Sequence, residues 1–166
     1  MKTLTDQNGS ALLSSTPVKS SVDKMVVVRP PKVLHADNMF VDGRAARYTS
    51  ENNVVEFTAF VTDVKNEIDD SDLHFVLKSP NSEKTMVGEI PDPNCPSFDH
   101  FPQQKSAISA SRKQGMLVMD QMKRTNKPVK VKITGVPFWD GIHLNTPRGA
   151  SKYCREIHPI LKIEIL

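Results

Sequence analysis

Only one stretch of this chain repeats with a helical period, and it lies between the third and fourth of five strand-like runs. That order constrains the fold more than any motif does. "VVEFTAFVTDVK" (Val54–Lys65) is rich in β-branched and aromatic residues, as a long strand should be. "DLHFVLK" (Asp72–Lys78) and "KTMVGEI" (Lys84–Ile90) follow as two shorter strands around the turn "SPNSE". Pro91, Pro93 and Pro96 then end the sheet, because proline cannot donate to a ladder. The next segment, "QQKSAISASRKQGMLVMDQMK", is predicted to be a helix capped by Asp99 or Ser97, with Pro102 in its first turn. Ala107, Ser111, Gly115, Val118 and Met122 form its inward stripe, where Gly115 marks a break or a close contact. "KPVKVKITGV" (Lys127–Val136) and "REIHPILKIEIL" (Arg155–Leu166) alternate as strands four and five.

Three strands, a helix and two strands is the connectivity of the OB-fold, a five-stranded Greek-key barrel. A ferredoxin-like fold needs a helix between the first two strands, for which there is no room. The ubiquitin-like order would leave one strand over. The expected class is therefore mainly β with one helix, in an OB-like barrel over residues 54–166. Residues 1–23 are rich in Ser, Thr, Asn and Lys without hydrophobic periodicity, so a disordered tail is predicted there. Residues 24–166 then make a single domain, in which "MVVV" (Met25–Val28) is read as a short strand stopped by Pro30 and Pro31.

Composition bounds the function. No apolar run approaches the ~20 residues of a membrane helix, and the polar N-terminus lacks an export signal. A cytoplasmic protein without a membrane partner is expected. Cys95 and Cys154 lack C-x-x-C spacing and read as free thiols. Net charge is +3, and residues 54–166 hold 15 Lys/Arg against 14 Asp/Glu, a near-neutral balance for a nucleic-acid binder. Phosphate-loop, dinucleotide, nucleophile-elbow and zinc-protease motifs are all absent from the sequence.

Within the "SPNSE" hairpin, Leu73, Phe75 and Leu77 share the core face with Met86, Gly88 and Ile90. The opposite face carries Asp72, His74, Val76 and Lys78 beside Thr85, Val87 and Glu89. A register symmetric about the turn sets His74 opposite Glu89, with Cβ atoms about 5 Å apart. A one-residue slip would expel the aliphatic set from the core, whereas a two-residue slip is not excluded. In the last strand, Ile157, Leu161, Ile163 and Ile165 are assigned inward and Glu156 and His158 outward. Two His/Glu doublets thus leave the core face of an OB barrel, where ligands lie over strands two and three between the flanking loops. One of these loops, "NEIDDS", is acidic; the other, "PFWDGIHLNTPRGASKYC", holds Trp139, Asp140, His143, Arg148, Lys152 and Tyr153.

At these residues the chain resembles a family of small bacterial proteins with an OB-like barrel. Their pattern runs D-G-D-x-H-L-V-L, T-M-I-x-E-I-P-x-P-x-C, V-x-V-T-G-V-x-F-x-D-x-x-H and E-L-H-P-V-L. Here the segments read "DSDLHFVL", "TMVGEIPDPNC", "VKITGVPFWDGIH" and "EIHPIL". The resemblance implies the barrel, and marks Asp70, Asp72, His74, Glu89, Cys95, Asp140, His143, Glu156 and His158 as recurrent polar positions. It implies no activity. Ser71 stands where the family has glycine, and the segment after His143 departs from the family's H-G-Q and N-G character.

Two functions follow. In the first, the barrel binds single-stranded nucleic acid or another polyanion: Lys130, Lys132, Arg148, Lys152 and Arg155 supply charge, while Trp139 and Tyr153 stack on bases. Trp139 reads equally well as a plug at the barrel end. In the second, Asp72, His74, Glu89 and His158 hold a divalent metal for phosphodiester hydrolysis, with His74, Glu89, Asp140 and His143 as catalytic candidates. A third and plainer reading makes the barrel a protein-interaction domain whose polar pairs fix strand register. Asp69, Asp70 and Asp72 read as a solvated turn, since D-D-S-D lacks the further ligands of a calcium loop.

Overall fold

The strand-forming residues from Val55 onward build a closed barrel. The computed structural model describes residues 4–5, 8–29, 47–68, 71–139 and 155–166. Strand β1 is the short Val18–Lys19, and β2 (Val55–Asn66) is the longest. β3 (Leu73–Lys78) and β4 (Thr85–Ile90) form the hairpin; β5 (Val129–Trp139) and β6 (Arg155–Ile165) follow the main helix. Neighbours run β2–β3–β4–β6–β5, and β5 returns to pair with β2, closing the ring. All contacts around it are antiparallel except β4 with β6, which is parallel. This is the OB-like arrangement. β2 serves two partners, β5 through Val55–Val61 and β3 through Phe60–Asn66, and an extra residue between Val61 and Asp63 bends it between them.

Alternation places Phe57, Ala59, Val61, Phe75, Leu77, Val131 and Ile133 inside. The expected inward assignment fails in one strand. Ile157, Ile160 and Ile163 are fully buried, while Leu161 is half-buried and Ile165 exposed. Two register shifts against β5 explain the exchange of Leu161 for Ile160: each inserts a residue into β6, so the inward side passes from Ile163 to Ile160 and back to Ile157. Gly135 allows the crossing, since a Cβ there would lie 2.3 Å from Ile157 Cγ2 and 2.8 Å from the Pro159 carbonyl oxygen.

Three helices accompany the barrel: α1 (Gly9–Leu13), α2 (Val22–Met25) and the long α3 (Pro102–Thr125). α3 packs with Ile108, Ser111, Gly115 and Val118 inward, while Ala107 and Met122 are half-buried. Gly115 is a close contact rather than a break: an added Cβ would sit 2.9 Å from Ile90 Cδ1 and 3.0 Å from Phe75 Cζ. The expected Asp99 or Ser97 cap does not form, because a 3-10 turn at Pro96–Phe98 intervenes and Phe101 precedes the first helical residue, Pro102. Asn126, left-handed at φ 51°, ends the helix.

The N-terminal reading is corrected. The disordered tail predicted over residues 1–23 instead carries α1 and β1 and the start of α2, with β1 pairing parallel to β2. "MVVV" is not a strand. Val22, Met25 and Val26 follow a helical spacing and enter the core, leaving Val27 and Val28 exposed, and Ser21 caps the turn by accepting from the Lys24 amide. Among the described residues no helix is long and apolar enough to cross a membrane. Cys95 is a free thiol; Cys154 lies outside the described residues.

Candidate metal centre

The hairpin adopts the symmetric register, with His74 opposite Glu89, Val76 opposite Val87 and Lys78 opposite Thr85. The parallel contact of β4 with β6 then sets Val87 beside Glu156 and Gly88 beside Ile157. Glu89 and His158, each turned away from the barrel interior, thereby meet on adjacent strands. The two doublets seen in the sequence merge into one cluster.

Glu89 lies between two imidazoles. Its Oε2 is 2.7 Å from His158 Nδ1, and its Oε1 is 3.9 Å from His74 Nε2, beyond hydrogen-bond range. His158 Nδ1 is also 3.4 Å from Glu156 Oε1, and its Nε2 is 3.7 Å from Asp72 Oδ2. Asp72, Glu89 and His158 each offer one ligand atom within 4.8 Å of the others. Their side chains are 11%, 15% and 3% exposed, so this is no solvated surface pair. Glu156 is equally buried, so the outward side of β6 at Glu156 and His158 is not an exposed strand face. His74 stands beside Glu89 rather than within the three-ligand group.

Imidazole nitrogen with carboxylate oxygen is the donor set of zinc, manganese, iron or nickel rather than of calcium. A metal-bound histidine almost always donates its second ring N–H to a carboxylate, a backbone carbonyl or a water, which fixes its tautomer and orientation. Here carboxylates stand at both ring nitrogens. Asp72 is itself held, its Oδ1 accepting from the Asp92 amide at 2.9 Å.

Among the described residues, the expected polyanion-binding side chains are not gathered on one face. Trp139 is 1% exposed; its indole N–H donates to Ser50 Oγ and its amide to Glu51 Oε1. Arg155 stacks over the Trp139 ring at 4.4 Å and donates to the Ser50 carbonyl oxygen. Burial pulls the Arg155 guanidinium down to about 10, against the opposing pull of Glu51, so it stays charged at neutral pH. Trp139 and Arg155 therefore form a buried stack where β5 ends and β6 begins, rather than exposed groups. Lys132 pairs with Glu164 at 3.0 Å, leaving Lys130 as the exposed cation of that strand. Asp69, Asp70, Asp140, His143, Arg148, Lys152 and Tyr153 lie outside the described residues.

Sequence reasoning missed Asp92, Arg112, Ser50 and Glu51. Nothing in their local pattern marks them, since each acts on residues at least 20 positions away. Compared with models of protein families, with curated proteins and with solved structures, the chain finds no match.

Proposed function

We propose that this protein is an OB-like binding module whose barrel wall holds a divalent metal ion on Asp72, Glu89 and His158. The observation that carries this reading is the convergence of those three ligand atoms within 4.8 Å, at side chains no more than 15% exposed. Closely spaced carboxylates in a low-dielectric wall make a negative focus that favours a cation. With the metal on His158 Nε2, beside Asp72, the Nδ1–H is left to the carboxylates of Glu89 and Glu156, which orient the ring. The motifs behind the resemblance to the bacterial barrel family contain all four groups, in keeping with a shared site. Three protein ligands leave coordination positions for water and a substrate oxygen, so metal-assisted hydrolysis of a phosphodiester is the reaction class the centre suits. His74, next to Glu89, is then the candidate proton acceptor at its edge.

Calorimetric titration with zinc and manganese tests the site. One equivalent is expected to bind the wild type, with binding strongly weakened in Glu89→Gln and His158→Ala and unchanged in Lys130→Ala. Wild-type protein that takes up neither metal, or variants that bind like it, would overturn the reading.

A second reading, single-stranded nucleic-acid binding, is favoured by a separate observation. The end of α3 and the start of β5 expose Lys123, Arg124, Lys127 and Lys130 together. Such a face binds through phosphate neutralisation, independently of the metal.

A further inference from the structure

Arg112 lies outside the metal cluster and carries no motif, yet it joins the two chain segments that hold Asp72. From α3 its guanidinium donates to the Ser71 carbonyl oxygen at 2.7 Å and to Asn66 Oδ1 at 2.9 Å, gripping the turn between β2 and β3. The same group donates to the carbonyl oxygens of Ile90 at 3.2 Å and Pro91 at 3.4 Å, gripping the chain as it leaves β4. Ser71 is the residue before Asp72. Pro91 is the residue before Asp92, whose amide donates to Asp72 Oδ1. Both segments that place the Asp72 carboxylate therefore converge on one planar guanidinium. Ser71 itself adopts φ 62°, a left-handed backbone that a non-glycine residue holds only when its surroundings impose it.

We infer that Arg112 is the positioning residue of the metal centre, setting the Asp72 carboxylate against His158 through Ser71 and Asp92. This rests on the metal reading above. A lysine cannot substitute, because one ammonium cannot reach four acceptors spread across two segments in a planar fan. Arg112 also lines a cavity of about 570 Å³ together with Asn66, Asp92 and Met119. Shortening its side chain enlarges an existing opening rather than leaving a void in the barrel core.

The test is a double-mutant cycle on metal affinity, using full-length protein and zinc as the probe, with thermal unfolding recorded in parallel. Arg112→Ala and Arg112→Lys are each expected to weaken zinc binding about 10- to 100-fold, the usual loss when an outer-shell partner of a ligand is removed. In an Asp72→Asn background, Arg112→Ala is expected to cause no further loss, since its effect runs through that carboxylate. A role confined to stability would lower the unfolding temperature while folded protein binds zinc with wild-type affinity, and would overturn the inference. Equal, additive losses in both backgrounds would also overturn it. Wild-type protein that binds no zinc would instead remove the centre itself, a failure separate from either of these.

Discussion

Ser71 holds its φ of 62° one residue before a proposed metal ligand, and its carbonyl oxygen is an acceptor of Arg112. An L-residue in this region is disfavoured by about 1–2 kcal/mol, partly offset in glycine by greater chain entropy. Ser71→Gly is therefore expected to raise unfolding free energy by up to about 1 kcal/mol in urea denaturation, because the backbone bond to Arg112 survives. A loss of stability would show that the serine hydroxyl does more than tolerate the turn. At this scale the sequence was informative where side chains face each other locally. The pairing of His74 with Glu89 follows from counting around "SPNSE", and the structure has it. The grip of Arg112 was illegible because its four acceptors are backbone or amide oxygens, which no residue type announces.

Among the elements, α2 is where local pattern and outcome diverge most. A run of three valines reads as a strand, yet four residues suffice for a helical turn once Ser21 caps it and Val22, Met25 and Val26 find the barrel. Asp23 fastens this turn to the hairpin, accepting from Ser79 and, at 2.5 Å, from Ser82. The Ser79 bond first and the Ser82 bond second hold its carboxyl below the usual aspartate range. A folded-state pKa below the unfolded value adds stability that is complete above the unfolded pKa, near 4, and is lost as pH falls through the folded one. The stability difference between wild type and Asp23→Asn is thus expected to be constant from pH 7 to about 5 and to shrink below about 4. Chemical denaturation across that range measures it, and a difference independent of pH would show that the charge contributes nothing. Strand β6 offers the other lesson at this scale. Alternation assumes a constant period of two, yet one inserted residue moves the core position from Leu161 to Ile160 and a second returns it to Ile157, without a local signal.

The barrel as a whole was legible because its order of periods, strand or helix, survives errors in any one boundary. Five strands, one main helix between the third and fourth, and closure through the first with the fourth all follow from that order. What the period could not carry was the depth of the centre. The sequence showed two doublets on outward faces; only the parallel contact of β4 with β6 stacks them and removes them from solvent. The polyanion reading belongs to this scale too, since it depends on the exposed cations of α3 and β5 acting as one surface. Binding to a single-stranded oligonucleotide, if carried by those residues, is expected to weaken steeply between 50 and 200 mM salt, at about that range of ionic strength, and to survive a chelator. Binding insensitive to salt, or none, would end it. The metal centre is tested most directly by anomalous scattering at the zinc edge from crystals grown with zinc. One peak is expected, bonded at about 2.0–2.2 Å to carboxylate oxygens of Asp72 and Glu89 and to an imidazole nitrogen of His158. A map without that peak, in which His158 Nδ1 still rests on Glu89, would contradict it.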